Sequence, residues 1–166
     1  TTYLIDMEGN VVHKWESEYE PGLYAILREN GNLLRGGRIP TGPVSIGGFG
    51  GIVQEIDWNG KVVWEYKMSS PTEVQHHCFA RMPNGNTLIL GWEYKSNEEA
   101  IAKGRDPKTI PPSVFAGGKW HYGFWPDFVR EVDKAGKSVW EWHAWDHIGK
   151  GPNKLDINYK LPEAVG

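Results

Sequence analysis

The sequence contains a single cysteine, Cys78, among its 166 residues. One cysteine argues against an internal disulfide and against a cysteine-based zinc site, and we expect neither. Cys78 could be a reactive thiol, but an unpaired cysteine more often serves as a small buried hydrophobic residue. We therefore expect Cys78 to be buried, and we expect neither a metal ion nor a cofactor.

Long apolar runs and an excess of charge of one sign are also missing. No stretch approaches the roughly 20 apolar residues that a membrane-spanning helix needs. The net charge is −3, so the chain lacks the basic surface with which proteins typically bind nucleic acid or anionic membranes. We expect no nucleic-acid partner and no membrane insertion.

Turn-forming and aromatic residues are abundant, with 21 glycines, 11 prolines and 9 tryptophans. Bulky aromatic residues separated by turn formers favour many short strands over long helices. Three segments share one pattern, in which an aspartate precedes a glycine turn and an apolar, aromatic stretch follows. This pattern predicts a β-hairpin whose aspartate caps the turn. The segments are YLIDMEGNVVHKW (3–15), QEIDWNGKVVWEY (54–66) and REVDKAGKSVWEW (130–142).

A second type of hairpin precedes the last two of these segments. GLYAILRENGNLLRGGR (22–38) aligns with HHCFARMPNGNTLILGW (76–92), and both turn on Asn-Gly-Asn. Two hairpins in succession make a unit of four antiparallel strands, and such a repeat of about 50 residues is typical of a propeller blade. The predicted fold class is therefore all-β, a β-propeller of which about two and a half blades are present.

The repeat also predicts how the chain is organised within one partial propeller domain, 1–166. Half a blade covers 1–16, whole blades cover 22–67 and 75–143, and 144–166 connects to a next blade. The second blade carries an insertion, 93–128, with a short helix capped by Ser96 and Glu99 and an aromatic, glycine-rich loop, GGKWHYGFW (117–125). A propeller has four or more blades, so we expect the remaining blades to come from the same parent chain or from other subunits.

Four motifs occur in an order that resembles the bacterial arylsulfotransferase (aryl-sulfate sulfotransferase) family. They are HHCFARMPNGNTLIL, EEAIAKGRDPKTIP, DFVREVDKAGKSVWEWHAWDHI and LDINY. The resemblance covers nearly the whole chain and is strongest over 75–159. It implies a six-bladed, periplasmic or secreted propeller without a cofactor. Its small-molecule partners would be an aryl sulfate and a phenol, between which it transfers a sulfuryl group.

The same resemblance implies roles for particular residues. In the family a histidine of the central channel becomes sulfated, while neighbouring polar side chains hold the sulfate. The pair His76 and His77 matches the family's early channel histidine. The family's His-x-Asn motif, an arginine and the nucleophilic histidine follow LDINY and would lie beyond Gly166. We therefore expect these 166 residues alone to be inactive.

His76 and His77 are the catalytic candidates, at the start of the strand nearest the propeller axis. Because side chains alternate along a strand, we expect one of the two, His77, to face the channel while the other packs sideways. Its role would be to donate a hydrogen bond or positive charge to a sulfate oxygen or to the leaving phenolate. The alternative is that both are merely polar residues at a strand end.

Four further residues are substrate-binding candidates. His147 and Trp145 follow the last strand, and Arg38 and Trp92 end the second strand of each blade. Arg38 could bind an anion, although a surface arginine is more often solvated or paired between blades. A metal site at His143 and His147 is not expected, since four-residue spacing on a strand or loop does not bring ligands together.

Two aromatic groups have other expected roles. The insertion aromatics are open to two interpretations, a lid over a flat substrate or packing on the propeller face; they are Trp120, His121, Tyr122, Phe124 and Trp125. We expect the strand tryptophans to lie in the core between blades; they are Trp15, Trp64, Trp140 and Trp142. A non-catalytic propeller that serves as a binding or assembly module is the competing function. A quinone-dependent dehydrogenase would need cofactor ligands that the sequence does not offer.

Overall fold

The computed structural model describes residues 1–40, 48–110 and 123–158, together with the backbone of 114–116 and 119–121. Within these ranges the protein is all-β, with antiparallel strand pairing throughout its sheets. Its strands are β1 (Thr2–Ile5), β2 (Val11–Trp15), β3 (Glu20–Leu27), β4 (Leu33–Arg38), β5 (Gly51–Ile56), β6 (Val62–Lys67), β7 (Glu73–Arg81), β8 (Thr87–Glu93), β9 (Val114–Ala116), β10 (Lys119–His121), β11 (Asp127–Val132) and β12 (Ser138–His143).

Two four-stranded sheets form the body of the described chain. The first sheet has the order β3-β4-β5-β6 and the second has the order β12-β11-β8-β7. The hairpin β1-β2 stands alone as a two-stranded sheet. The predicted hairpins and their grouping into two four-stranded units are therefore confirmed.

Aspartates close the three hairpin turns, as predicted. Asp57 Oδ1 accepts hydrogen bonds from the backbone amides of Asn59 and Lys61, both at 2.9 Å. Gly60, at φ +85°, occupies the left-handed position that the turn requires. Asp6 and Asp133 accept the corresponding pair of backbone amides in their own turns.

The segment 93–128 contains both a confirmed and a corrected prediction. The helix α1 (Asn97–Ala102) begins at Ser96, whose side chain accepts from the Glu99 amide in a reciprocal capping box, as expected. The stretch 117–125 was predicted to be a loop, but Lys119–His121 is a strand that pairs with Val114–Ala116. Local glycine content did not reveal this pairing, because a partner strand lies outside the stretch itself. None of the helices in the described ranges is long and apolar enough to cross a bilayer.

An apolar core joins the two sheets. It is built from buried side chains of both sheets and of the connection between them; they are Leu34, Val53, Met68, Phe79, Ile89, Phe128 and Val132. The half-buried Ile26, Trp64 and Tyr66 pack against this core. The hairpin β1-β2 packs on the other face of the first sheet, where Trp15 contacts Leu33 and Ile56. Each junction thus places aromatic residues of one hairpin against the next sheet.

The tryptophan prediction holds for only half of its members. Trp15 is buried and Trp64 is half-buried in the junctions just described. Trp140 and Trp142, which occupy the same repeat positions in β12, are 49% and 41% exposed. They differ because the far face of the second sheet has no sheet packed against it within the described ranges. Their exposure follows from the missing neighbour and not from the sequence of β12.

Candidate functional site

A wide bulge interrupts β7 where the two histidines lie. Gln75 pairs with Gly91 and Phe79 pairs with Ile89, so three residues of β7, His76–Cys78, stand opposite the single residue Leu90 of β8. A bulge breaks the two-residue alternation of side chains and re-aims them. The sequence alone offers regular alternation as its only expectation, and that expectation fails at this point.

The bulge brings His76 and His77 together on one side. Their ring centroids are 4.0 Å apart, and the ring planes are inclined by 36°. The two imidazoles therefore do not lie on opposite faces of β7, as regular alternation predicts, and the placement of His77 towards a channel stays a prediction. The two rings form one polar unit that a single small ligand could touch.

His76 is the more enclosed of the pair. Its ring meets the Trp92 ring edge-on at 4.1 Å, and its backbone forms a β-bridge with Phe49. Burial lowers the pKa of His76, and the neighbouring His77 lowers it further. Nδ1 of His76 is buried and has no hydrogen-bond partner among the described residues. An imidazole with an unpaired, buried ring nitrogen is thus held against an aromatic wall.

Cys78 lies next to this pair and is exposed to solvent. Its Sγ is 3.0 Å from Nδ1 of His77. The expectation of a buried cysteine is wrong, and the cause is again the bulge, which leaves Cys78 outside the regular inward-facing positions of β7. Phe79, the next residue, takes the buried position in the core.

A glycine loop packs closely on the histidine rings. Gly48 has φ +87°, and a Cβ there would lie 3.2 Å from Cδ2 of His77 and 3.3 Å from Nε2 of His76. Gly50 is tighter still, since its Cβ would lie 2.0 Å from Oε1 of Gln75. The sequence GGFGG (47–51) lacks the GxGxxG spacing of a phosphate-binding loop and is predicted to be a plain loop. It does not reveal that Gly48 borders the histidines. The signal was the density of glycines next to one phenylalanine, which implies close backbone approach.

Gln75 anchors the bulge to the first sheet. The side chain is completely buried, and its Oε1 accepts from the Gly51 amide at 2.9 Å. The Gln75 backbone accepts from the Gly50 amide at 2.8 Å and donates to Met68 at 2.9 Å. The residue directly before the histidines is therefore hydrogen-bonded to the other sheet. Sequence reasoning missed Gln75, because a single glutamine carries no pattern.

Arg38 and Trp92 reach this end of the sheets, as their repeat positions indicate. The Arg38 guanidinium lies 4.7 Å from the centre of the Phe49 ring, and its Nη1 is 3.8 Å from a carboxylate oxygen of Glu20. Trp92 contacts His76 as described and also packs against Phe49. Arg38 thus makes an ion pair within its own sheet, a pairing that the sequence did not predict, one aromatic ring away from the histidines.

Trp145 and His147 lie apart from the histidine pair, in the segment that follows β12. They lie in the 3-10 helix Ala144–His147, where the buried Trp145 receives the Lys103 ammonium 4.9 Å from its ring centre. The ring of His147 stacks on that of Trp142 at 5.0 Å. Among the described residues, neither contacts His76 or His77. The four substrate-binding candidates therefore divide into two groups.

A largely apolar cavity of about 590 Å³ lies beside Trp145. Its walls include Phe124, Trp125 and Ile148, and Arg105 provides a positive charge. Trp125 also packs against the cluster of Phe49 and Val74 that Trp92 joins, so the cavity borders the histidine end of the sheets. Phe124 and Trp125 pack as walls, while the side chains of Trp120, His121 and Tyr122 lie outside the described residues.

His143 has a structural role. Its Nδ1 is 3.1 Å from Glu93, which also pairs with Lys95, and its Nε2 is 3.1 Å from Glu141. Burial alone would lower the pKa of His143, but the hydrogen bonds to both carboxylates outweigh burial and raise it. With both ring nitrogens engaged, His143 is a cross-strand link.

A larger cleft of about 1110 Å³ opens at the opposite end of the sheets, beside the Asn-Gly-Asn turns. Glu55 lies in its wall and accepts from Arg28 and Arg81, both at 2.7 Å, and from Asn32 at 2.8 Å. The carboxylate of Glu55 is thus engaged by three donors, whereas Nε1 of Trp64 and Nε of Arg81, in the same wall, are buried without a hydrogen-bond partner among the described residues.

Comparison of the chain with protein-family models finds no match, and comparison with curated proteins finds none either.

Proposed function

We propose that this chain is part of a β-propeller of the arylsulfotransferase type, which transfers a sulfuryl group from a phenolic sulfate ester to a phenol. The observation that carries the proposal is the bulge that brings His76 and His77 together at the end of β7. It agrees with the resemblance of HHCFARMPNGNTLIL to the family's channel segment. Export to the periplasm or outside the cell is part of the same proposal.

Repeated packing supports the propeller architecture. Ile26, Leu34, Val53, Trp64 and Tyr66 of the first sheet pack on the second sheet. The residues at the equivalent repeat positions of the second sheet also lie on one face of that sheet, as its strand pairing shows; they are Ala80, Leu88, Val129, Trp140 and Trp142. A further four-stranded unit packed on this face would bury the two tryptophans. Such a unit would come from the same parent chain or from another subunit.

The histidine pair suits an assisting role in the transfer. When the sulfuryl group leaves the donor, the S–O bond to the aryl oxygen breaks, and negative charge develops on that oxygen. An imidazole N–H that donates to this oxygen or to a sulfate oxygen stabilises the charge. The resemblance assigns the sulfated histidine to a segment that follows LDINY, so His76 and His77 would act beside it. As the donor S–O bond breaks, an N–S bond forms to the histidine that becomes sulfated. In the second half the N–S bond breaks while the sulfuryl group bonds to the acceptor oxygen, and the acceptor's proton passes to a base or to water.

The surroundings suit an aromatic substrate. Trp92 contacts His76, and the cavity beside Trp145 lies on the same side with walls of Phe124 and Trp125. Its volume of about 590 Å³ falls within the usual range for small-molecule sites, which are mostly apolar with few polar groups. Arg105 in its wall would attract an anionic aryl sulfate.

The alternative is a non-catalytic propeller that serves as a binding or assembly module. The specific observation that favours it is the exposed face with Trp140 and Trp142, since large exposed apolar patches mark interaction sites.

The two functions differ in an assay of the full-length natural protein. Chromogenic aryl sulfate and a phenol acceptor are mixed with it, and phenol release is followed. We expect His77→Ala and His76→Ala to lower kcat by about 100-fold, the usual contribution of one charge-stabilising donor. Leu23→Ala, at the repeat position of His77, is the matched control and should retain activity. Folded protein that releases no phenol would eliminate the transferase and leave the assembly module.

A further inference from the structure

Three metal-ligand side chains converge at the β7 bulge. One ring nitrogen each from His76 and His77 and the Sγ of Cys78 all lie within 4.8 Å of one another. On a regular strand three consecutive side chains would alternate between opposite faces and could not share a ligand. The bulge removes that obstacle.

The bulge is a property of the repeat, whereas the donors belong to the second sheet alone. In the first sheet Pro21 pairs with Gly37 and Ala25 pairs with Arg35, so the aligned residues 22–24 form the same bulge. Those residues are Gly22, Leu23 and Tyr24, which offer no imidazole and no thiol. Of the two equivalent bulges, the one at 76–78 therefore carries metal-ligand side chains and the one at 22–24 does not.

From this geometry we infer that His76, His77 and Cys78 form a binding site for a borderline transition-metal ion, with Zn²⁺ as the expected occupant. Imidazole and thiolate are the ligands that Zn²⁺ prefers, and three protein ligands with an open fourth position make a stable tetrahedral site. Cys78 is exposed, so an ion reaches the site directly and water completes the coordination. The inference rests on the cluster and does not depend on sulfuryl transfer.

The distances fit after small side-chain rotations. Tetrahedral Zn²⁺ with bonds of about 2.0 Å to nitrogen and about 2.3 Å to sulfur holds its ligand atoms about 3.5 Å apart. Nδ1 of His77 and Sγ of Cys78 are 3.0 Å apart and need to separate slightly. The widest pair, within 4.8 Å, needs to close by about 1 Å. Gly48 adjoins both rings and adds no side chain on that side, while the Trp92 ring bounds His76 on another.

Titration with Co²⁺, a spectroscopic substitute for Zn²⁺, tests the site without any activity assay. The full-length protein is purified without a histidine tag, and thiolate-to-cobalt absorption is recorded as Co²⁺ is added and then displaced by Zn²⁺. If Cys78 is the sole cysteine of the protein used, this absorption reports Cys78 alone. We expect one ion per chain. Cys78→Ser should abolish the band, while His76→Ala and His77→Ala should each weaken binding at least about tenfold.

His147→Ala serves as the histidine control, because His147 stacks on Trp142 and does not contact the cluster. It should bind Co²⁺ like the unaltered protein. Circular dichroism confirms that each variant is folded. The inference is overturned if the folded, unaltered protein gives no thiolate-to-cobalt band, if the band survives unweakened in His76→Ala and His77→Ala, or if one ion binds two chains. Because phenol release is not measured, failure here leaves the transferase proposal untouched.

Discussion

Arg28 and Arg81 both form ion pairs with Glu55, and we expect the two pairs to contribute very unequally to the free energy of unfolding. Arg81, on β7, donates to Glu55 across the interface between the sheets, and the two side chains are 10% and 8% exposed. Arg28, which follows β3 in the first sheet, donates to the same carboxylate but is 32% exposed. The perturbation is to replace each arginine by methionine, which keeps the aliphatic stem and removes the guanidinium.

The expected magnitudes follow from burial. Removing one partner of a buried ion pair costs about 3–5 kcal/mol of unfolding free energy. Glu55 keeps Arg28 and Asn32 in Arg81→Met, so the loss should lie near the lower limit, about 3 kcal/mol. Arg81 also covers the Trp64 ring at 4.4 Å, a contact that methionine partly retains. Arg28→Met breaks a half-exposed pair, so it should cost about 1 kcal/mol or less.

Urea unfolding followed by tryptophan fluorescence and by circular dichroism measures both variants. The slope with denaturant should stay constant, so that the shift in midpoint reports stability alone. In Glu55→Gln, the further effect of Arg81→Met should shrink, because the charge partner is already absent. Equal losses for Arg28→Met and Arg81→Met would refute the reasoning, since burial would then not decide the strength of these pairs.

Two further predictions concern the packing around the site. Gly50→Ala should lower the free energy of unfolding by about 3 kcal/mol, because the added methyl group overpacks against Gln75. Adding Gln75→Ala to the same chain should recover part of this loss, as measured by urea unfolding. Full stability of Gly50→Ala would contradict the close approach of Gly50 to Gln75. The raised pKa of His143 makes its contribution complete below the unfolded-state pKa, and that contribution is lost as the pH rises through the folded-state pKa. The stability difference between the unaltered protein and His143→Gln should therefore shrink as the pH rises above the usual histidine pKa of about 6.5. A difference in thermal unfolding that stays constant with pH would rule out the links to Glu93 and Glu141.

The hairpins could be predicted because their signals are local. An aspartate, a glycine three residues later and an apolar stretch specify a turn and its strands within about a dozen residues, and Asp57 and Gly60 act as expected. The alignment of 22–38 with 76–92 was equally informative, because the two segments share the same strand pairing and the same bulge. Repeated sequence therefore predicted repeated structure.

The side-chain arrangement at the site could not be predicted in the same way. The bulge at 76–78 recurs at 22–24, and no hydrophobic pattern within either strand records it. The exposure of Cys78 and the contact between His76 and His77 both follow from that bulge. The exposure of Trp140 could not be predicted for a different reason, because the burial of a residue depends on whether a neighbouring sheet covers it.

The hydrogen bonds of Gln75 have a mechanical consequence for the histidines. The residue that precedes them is held by Gly50, Gly51 and Met68, so the start of β7 is fixed to the first sheet while the rest of the strand belongs to the second. A small displacement between the sheets would therefore strain the bulge before it disturbed either sheet. The distance between the two imidazole rings therefore depends on the relative position of the two sheets. A partner that binds where the sheets meet would change that distance without touching either histidine.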